Sequence, residues 1–237
     1  EPILALPEDY IGETESCVDI IREKTGGNAR NLLHLACGAG GNDFTFKKHF
    51  TVTGVDISRQ MLSIAEKANP EVTYVQGDMR NLDLDRHFDA VVIPDSIDYM
   101  ATLADLQSAI TTASKHLLPG GVLLIIAKTR EEFQENNFCY TGARDDIEIT
   151  VFENNHVSRT DHSSYHATIV YLIRYGEKLK IYTDRHVLGL FSQKQWLSSL
   201  GGAGLEVEQK RLDGIYDQYI LGEGKYPMRI FIGIKRA

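Results

Sequence analysis

The residues best suited to chemistry lie in Leu32-Leu33-His34-Leu35-Ala36-Cys37-Gly38-Ala39-Gly40-Gly41, a short apolar run that ends in a glycine-dense turn. Glycine there lets the backbone turn tightly and lets a ligand approach to contact distance, which a Cβ would obstruct. The turn reads as a nucleotide-cofactor loop. Asp56 ends the next apolar run, Thr51 to Val55, 18 residues after Gly38, close to the roughly 20 expected for an acid that grips ribose hydroxyls. After a third run, Val72 to Gln76, Gly77-Asp78-Met79-Arg80 offers a second carboxylate able to accept a hydrogen bond from an exocyclic amine. A dinucleotide fingerprint, G-x-G-x-x-G, would place its third glycine where the chain has Asp43. An acid at the head of the following helix would repel a pyrophosphate, because helix N-termini are positive. The spacing therefore points to a cofactor without phosphate, and a nicotinamide-dependent oxidoreductase is the alternative if Asp43 is tolerated there.

The elements that must hold these residues come in the order of an open α/β sheet. Phe88 to Ile93 reads as a fourth strand, and Leu117-Leu118-Pro119-Gly120-Gly121 introduces a fifth at Val122 to Ile126. Runs this apolar suit parallel strands covered on both faces. Leu205 to Arg211 and Met228 to Lys235 supply two more strands. Residues 12 to 24 form a helix, apolar at Cys17, Val18, Ile20 and Ile21, that stops at Gly26-Gly27. Thr102 to Asp105 and Ser192 to Gln195 have the capping-box form, opening helices that run to about Leu117 and Leu200. Between about Phe133 and Gly189, the runs 147–152, 167–173 and 178–182 are β-rich and separated by Asn154-Asn155, Asp161 to Ser164 and Gly176-Glu177. They read as an inserted antiparallel sheet. Laid over the strands' carboxyl ends, it would close a small pocket rather than cradle a polymer.

The set LACGAGG, TGVDIS, QGDMR, FDAVVIPDSIDYM and LLPGGVLLI resembles the class I S-adenosylmethionine-dependent methyltransferases over about residues 30 to 128. The resemblance implies an α/β fold with a Rossmann-like, seven-stranded, mostly parallel sheet and a final antiparallel strand. It implies Gly38 and Gly40 under the methionine part of S-adenosylmethionine, Asp56 on the ribose, and Asp78 with Met79 at the adenine. Tyr10, Ala36, Cys37, Ile57, Met61, Arg80 and Pro94 complete the cofactor-binding set it implies. The insertion with the stretch His186 to Val207, and Glu8-Asp9-Tyr10 upstream, resemble small-molecule methyltransferases that act on nucleotide-linked amino sugars, in which the tyrosine closes over the cofactor. Where that group has an aromatic-rich stretch after the fifth strand, this chain has Ala127-Lys128-Thr129-Arg130.

Methyl transfer from a sulfonium is an in-line displacement, so the protein's task is to align the reactants and exclude water. A neutral amine needs no strong base, whereas a hydroxyl needs one within about 2.6–3.2 Å. Asp95, Ser96, Asp98 and Tyr99 follow the fourth strand, beside the transferring methyl. Asp95 and Asp98 either orient a substrate amine or are loop acids and helix caps. Tyr99 and Tyr10 either shape the pocket wall or sit as core or rim aromatics. His186 is either a base facing the pocket or a satisfied structural histidine. Asp95, Tyr99 and His186 are the catalytic candidates. His162 and His166, four apart, would share a face of a β-run, but a metal site needs further ligands and none is expected. Arg144, Arg159, Arg174 and Arg185 either bind a phosphate or carboxylate of the substrate or are solvated. Cys37 is a small loop filler rather than a nucleophile, with no partner to activate its thiolate.

At 237 residues the chain suits one α/β domain over 1–237, with a cofactor-binding core over 30–128 and a β cap over 133–190. A net charge of −8 and a pI near 5.5 argue against a nucleic-acid partner. Three cysteines cannot all pair, which favours a reduced, cytoplasmic setting. Apolar runs fall short of the roughly 18 residues of a membrane span, and the opening at Glu1 rather than Met leads us to expect an upstream segment. The sequence thus reads as an enzyme, monomeric or homodimeric, that methylates nitrogen or oxygen of a small soluble acceptor such as an amino sugar. A non-catalytic cofactor-binding relative is a third reading.

Overall fold

The computed structural model of the chain describes residues 3–4, 6–159 and 162–236. Glu1, Asp161 and Ala237, on which expectations above fall, lie outside the described residues. The elements begin with α1 (Ile11–Lys24), β1 (Asn31–Leu35), α2 (Asp43–Phe46), β2 (Thr51–Asp56), α3 (Arg59–Ala68), β3 (Thr73–Gln76) and β4 (Phe88–Ile93). They continue with α4 (Leu103–Lys115), β5 (Leu117–Ala127), β6 (Asn137–Arg144), β7 (Ile147–Val157), β8 (Ser164–Tyr175), β9 (Lys178–Gly189), α5 (Gln193–Gly202), β10 (Leu205–Leu212) and β11 (Met228–Lys235).

Seven strands form one sheet in the order β10-β11-β5-β4-β1-β2-β3, in which β11 alone runs against its neighbours. Alternate residues of β1 go to opposite faces, and both faces are covered. Leu33 and Leu35 pack with Leu106, Ile110, Trp196 and Leu200 of α4 and α5. Leu32 packs with Val18, Ile21 and Phe46 of α1 and α2. This two-sided burial is why the strands read as unbroken apolar runs, and each fully buried large side chain contributes roughly 1.5–3 kcal/mol.

The turn expected at Leu117 to Gly121 is taken up into β5. Phe88 pairs with Leu117 and Ala90 with Val122, so the intervening residues bulge from the ladder. A Cβ on Gly121 would stand 2.9 Å from the Leu118 carbonyl and 3.0 Å from that of Asp89, so this bulge has no room for a side chain.

The insertion is a separate four-stranded antiparallel sheet, β6-β7-β8-β9. Its strands are longer than the three expected runs. Asn154 and Asn155 lie within β7, paired with Thr168 and Ala167, rather than in a turn. β6 was not expected: Asn-Phe-Cys-Tyr-Thr-Gly-Ala-Arg is too polar to read as a strand, and its pairing with β7 supplies what its sequence lacks. His162 precedes β8 instead of lying on it, so it does not share a strand face with His166. No described helix is long and apolar enough to cross a membrane.

Candidate active site

Between β1 and β4 the strand order reverses direction, and in such sheets the crevice at the carboxyl ends of these strands takes the ligand. Two non-glycine residues there have left-handed backbone, Ala36 after β1 (φ 54) and Asp95 after β4 (φ 61), a conformation that costs of order 1–3 kcal/mol at each position. The Ser96 hydroxyl donates to the Ala36 carbonyl at 3.4 Å, which ties the two turns together.

The glycine turn and the two following strand ends make one side of the crevice. Gly38 has φ +55 and open space where a Cβ would stand. Asp56 accepts from the Gly38 amide at 2.9 Å and from the Ser58 amide at 2.8 Å, leaving its other lone pairs for a ligand. Ile57 beside it is 64% exposed, an apolar surface for a flat ring. The Ser58 hydroxyl caps α3 by accepting from the Met61 amide at 3.3 Å. The Gly77 amide donates to the Asp56 carbonyl, which brings Asp78, buried Met79 and Arg80 alongside. Asp78 is already paired, accepting from Arg80 Nη2 at 2.6 Å, and Arg80 also reaches Asp105 at 3.1 Å. The Arg80 guanidinium holds the Asp78 carboxyl below the usual carboxylate range. Pro94 is buried at the end of β4. Burial, with the charges of Asp43 and Asp56, pushes the Cys37 thiol up, so it stays protonated. These residues fit S-adenosylmethionine: a turn open above Gly38, an acid for the ribose and an apolar surface for the adenine.

One expectation here needs correction. Asp43 does not face a ligand. It is fully buried, 2.7 Å from His34 Nδ1, and accepts from the Tyr74 hydroxyl at 2.9 Å. Asn69 joins this network and donates to the Gly40 carbonyl at 3.0 Å, so Asp43 braces the glycine turn from beneath.

The opposite side of the crevice is a cavity of about 300 Å³ between the strand ends and the inner face of the inserted sheet. It brings together the candidates Tyr10, Asp95, Tyr99 and His186. Asp95 is the centre of a γ-turn, with the Ser96 amide donating to the Pro94 carbonyl at 2.8 Å, and its side chain is 60% exposed. The Tyr99 hydroxyl is 2.7 Å from His186 Nδ1, and His186 Nε2 is 3.2 Å from Asp184. Burial, then the Asp95 charge, pushes the Tyr99 phenol up to about 12. Both His186 ring nitrogens are engaged, Nδ1 with the Tyr99 hydroxyl and Nε2 with the Asp184 carboxylate. Tyr10 also lies against the glycine turn, where a Cβ on Gly41 would be 2.7 Å from its ring.

Asp98 also lines the cavity, but its carboxylate is already paired. It is buried and accepts from Lys128 at 2.7 Å and from the Tyr165 hydroxyl at 3.2 Å. Lys128, 5% exposed, also donates to the Tyr226 hydroxyl at 2.7 Å and lies 3.5 Å from Asp95. Burial works against its charge, but Asp98 and the surrounding hydroxyls outweigh it and hold the ammonium well above its ordinary range. Glu153 of β7 also lines the cavity and accepts from Asn155 at 2.9 Å; burial raises its carboxyl above the ordinary value. Sequence reasoning missed Glu153 and the role of Lys128. Their signals were a lysine directly at the end of a buried strand and an acid at a single phase of an alternating one. Arg144, Arg159, Arg174 and Arg185 are all exposed.

The fold and the crevice define a nucleotide-cofactor class of α/β protein with a separate cavity roofed by the inserted sheet. Residues 32–121 match the methyltransferase domain family. The chain is 32% identical over 203 residues to the dTDP-3-amino-3,4,6-trideoxy-alpha-D-glucopyranose N,N-dimethyltransferase of Streptomyces venezuelae, covering 85% of each. It is 29% identical to the dTDP-3-amino-3,6-dideoxy-alpha-D-glucopyranose N,N-dimethyltransferase of Streptomyces fradiae, covering 85% of this chain and 79% of the relative. The crystal structure of Streptomyces venezuelae DesVI superposes with a TM-score of 0.81 at 28% identity, over 96% of this chain and 92% of that one. The sugar N-methyltransferase KedS8 from Streptoalloteichus does so at 0.81 and 27%, over 95% and 87%. The chain belongs to the S-adenosylmethionine-dependent methyltransferases. It is an enzyme that uses S-adenosylmethionine as its methyl donor.

Proposed function

We propose that the chain methylates the amino nitrogen of a small hydroxylated acceptor of the amino-sugar class. The observation that carries this reading is the cavity at the end of β4, where Asp95 and Tyr99 lie under the inserted sheet and Tyr10 joins the cavity to the glycine turn. The relatives' names, dTDP-amino-sugar N,N-dimethyltransferases, support it. When bound, S-adenosylmethionine supplies a methyl group already activated by the sulfonium. Gly38, Asp56, Ile57 and Met79 hold the cofactor in this reading, with Ala36, Gly40, Met61, Asp78, Arg80 and Pro94 shaping its site. Asp95 accepts a hydrogen bond from the acceptor amine and aims its lone pair. Tyr99, steadied by His186, sets the acceptor's position, and Tyr10 with residues 133–190 acts as a cap that excludes water. An engaged His186 favours nitrogen over oxygen, because a hydroxyl acceptor would need a free base. The free cysteines Cys17, Cys37 and Cys139 support a reducing, cytoplasmic setting.

The test is titration with S-adenosylhomocysteine, with NADH as the control, followed by transfer of tritiated methyl to amino sugars and to their hydroxyl counterparts. Binding of S-adenosylhomocysteine alone and label on the amines is the expected outcome. Label on hydroxyl acceptors only would overturn N-methylation.

A further inference from the structure

The acceptor cavity has an unusual charge balance for a site that would take a nucleotide-linked substrate. Its described wall carries four carboxylates, Asp9, Asp95, Asp98 and Glu153, against one ammonium, Lys128, and no guanidinium. Lys128 is not available to a phosphate, because Asp98 at 2.7 Å and the Tyr226 hydroxyl at 2.7 Å take it up. A pyrophosphate is recognised by forked guanidinium groups or free ammonium groups, and it would meet uncompensated negative charge here. The rest of the wall is rich in phenol rings, including Tyr10, Tyr99, Tyr140 and Tyr165. Rings and carboxylates together are the chemistry that reads an organic cation. The wall already does so once, since Lys128 Nζ lies 5.0 Å from the Tyr226 ring centroid and 5.8 Å from that of Tyr165.

We propose that the acceptor is a small cationic amine without phosphoryl groups, gripped as its ammonium ion between Asp95 at the end of β4 and Glu153 on β7, and made nucleophilic when one N–H proton passes to the Glu153 carboxylate and frees the nitrogen lone pair for the methyl group. This rests on the amine-methylation reading above and narrows it. Asp95 is held in place by its γ-turn, while Glu153 is fixed by Asn155 and comes from the inserted sheet. The cation therefore bridges the two halves of the molecule. A cavity of about 300 Å³ sits at the lower end of the range for small-ligand sites and has room for an aminated polyol.

The experiment uses the whole chain saturated with S-adenosylhomocysteine and titrates it calorimetrically with choline, its uncharged isostere 3,3-dimethylbutan-1-ol, and thymidine diphosphate. Choline is expected to bind roughly tenfold or more tightly than the isostere, thymidine diphosphate is expected to be silent, and Glu153→Gln and Asp95→Asn are each expected to lower choline affinity by roughly tenfold. The comparison of choline with its isostere needs no variant, so it stands if a variant fails to fold. Equal binding of choline and the isostere would overturn the proposal. So would binding of thymidine diphosphate that is lost in Arg144→Ala, the cation of the neighbouring groove along β6. Tritiated methyl recovered on a nucleotide-linked amino sugar, with thymidine diphosphate bound and choline not, would overturn this selectivity and leave N-methylation intact. Label only on hydroxyl acceptors would overturn both.

Discussion

On the cofactor side of the crevice, Asp56 reaches the Gly38 amide across 18 residues and the Ser58 amide across 2, so backbone groups of two neighbouring strand ends do most of the holding. On the acceptor side, Tyr99 meets His186 across 87 residues, and Lys128 meets Tyr226 across 98, all through side chains. The first side is a local device fixed by glycine and strand geometry. The second is assembled from contacts distant in sequence, and one of them, Tyr99 with His186, forms only once the inserted sheet has docked on the strand ends. In the reading proposed above, donor binding is tied to the sheet itself, whereas acceptor choice rests on a few long-range contacts, with Tyr10 the link between them.

The most severe way to break the acceptor side is Lys128→Met, which leaves Asp98 buried without its partner. Losing one member of a buried pair costs about 3–5 kcal/mol, so the thermal midpoint should fall by roughly 6–20 °C. Asp98→Asn in the same chain should recover part of the loss. An unchanged melting curve would show that the pair does not hold this wall together.

Glu13 tests the seam between the two sides, since it accepts from the Tyr216 hydroxyl of the acceptor wall at 2.9 Å and from Asn42 of the glycine turn at 3.5 Å. Burial, then the Asp95 charge, raises its carboxyl from 4.5 to about 7. The folded chain therefore binds this proton more tightly than the unfolded chain, and between about pH 4.5 and 7 this group's contribution to stability falls as pH rises. Glu13→Gln should flatten that slope by on the order of 3 kcal/mol over the window. Denaturant midpoints of both proteins at about pH 5 and about pH 8 would measure it, and parallel curves would count against a buried, titrating Glu13.

On the cofactor side, Asp56→Ala should weaken S-adenosylhomocysteine by at least roughly tenfold, or about 1.4 kcal/mol, with choline binding retained. Loss of both ligands together would mean that the two sides are not separable. The smallest effect should come from Tyr99→Phe, which deletes one hydrogen bond to His186 worth about 1 kcal/mol. Turnover should drop roughly fivefold while S-adenosylhomocysteine affinity stays level in the same titration.

This division also explains what could be read from the residues alone. Gly38, Gly40, Asp56 and the strands that carry them were legible because spacing along one stretch of chain sets their geometry, and the apolar runs report two-sided burial. Asp95, Tyr99 and His186 were legible as candidates because they follow β4 or flank the insertion. Their mutual arrangement was not, since it depends on the register of β9 against β8. β6 escaped notice because its eight residues gain their strand character from pairing with β7. Asp43 was misjudged for a related reason: position at a helix head fixes where its backbone lies, while His34 and Tyr74 decide which way its carboxylate turns. Lys128 was visible only as a departure from an aromatic pattern, and nothing local indicates that Asp98 would be its counter-ion.

Tyr10 leans on the backbone of Gly41 at a spot where one extra carbon would stand 2.7 Å from the ring, and the same ring borders the acceptor cavity. A single hydrogen atom in place of a methyl group thus lets one aromatic side chain serve two clients. Whatever steadies the ring from the donor side steadies it for the acceptor, and linkage makes the effect mutual. Ordered binding is the expected outcome, donor first and methylated product out before the spent donor, and product-inhibition kinetics would check it.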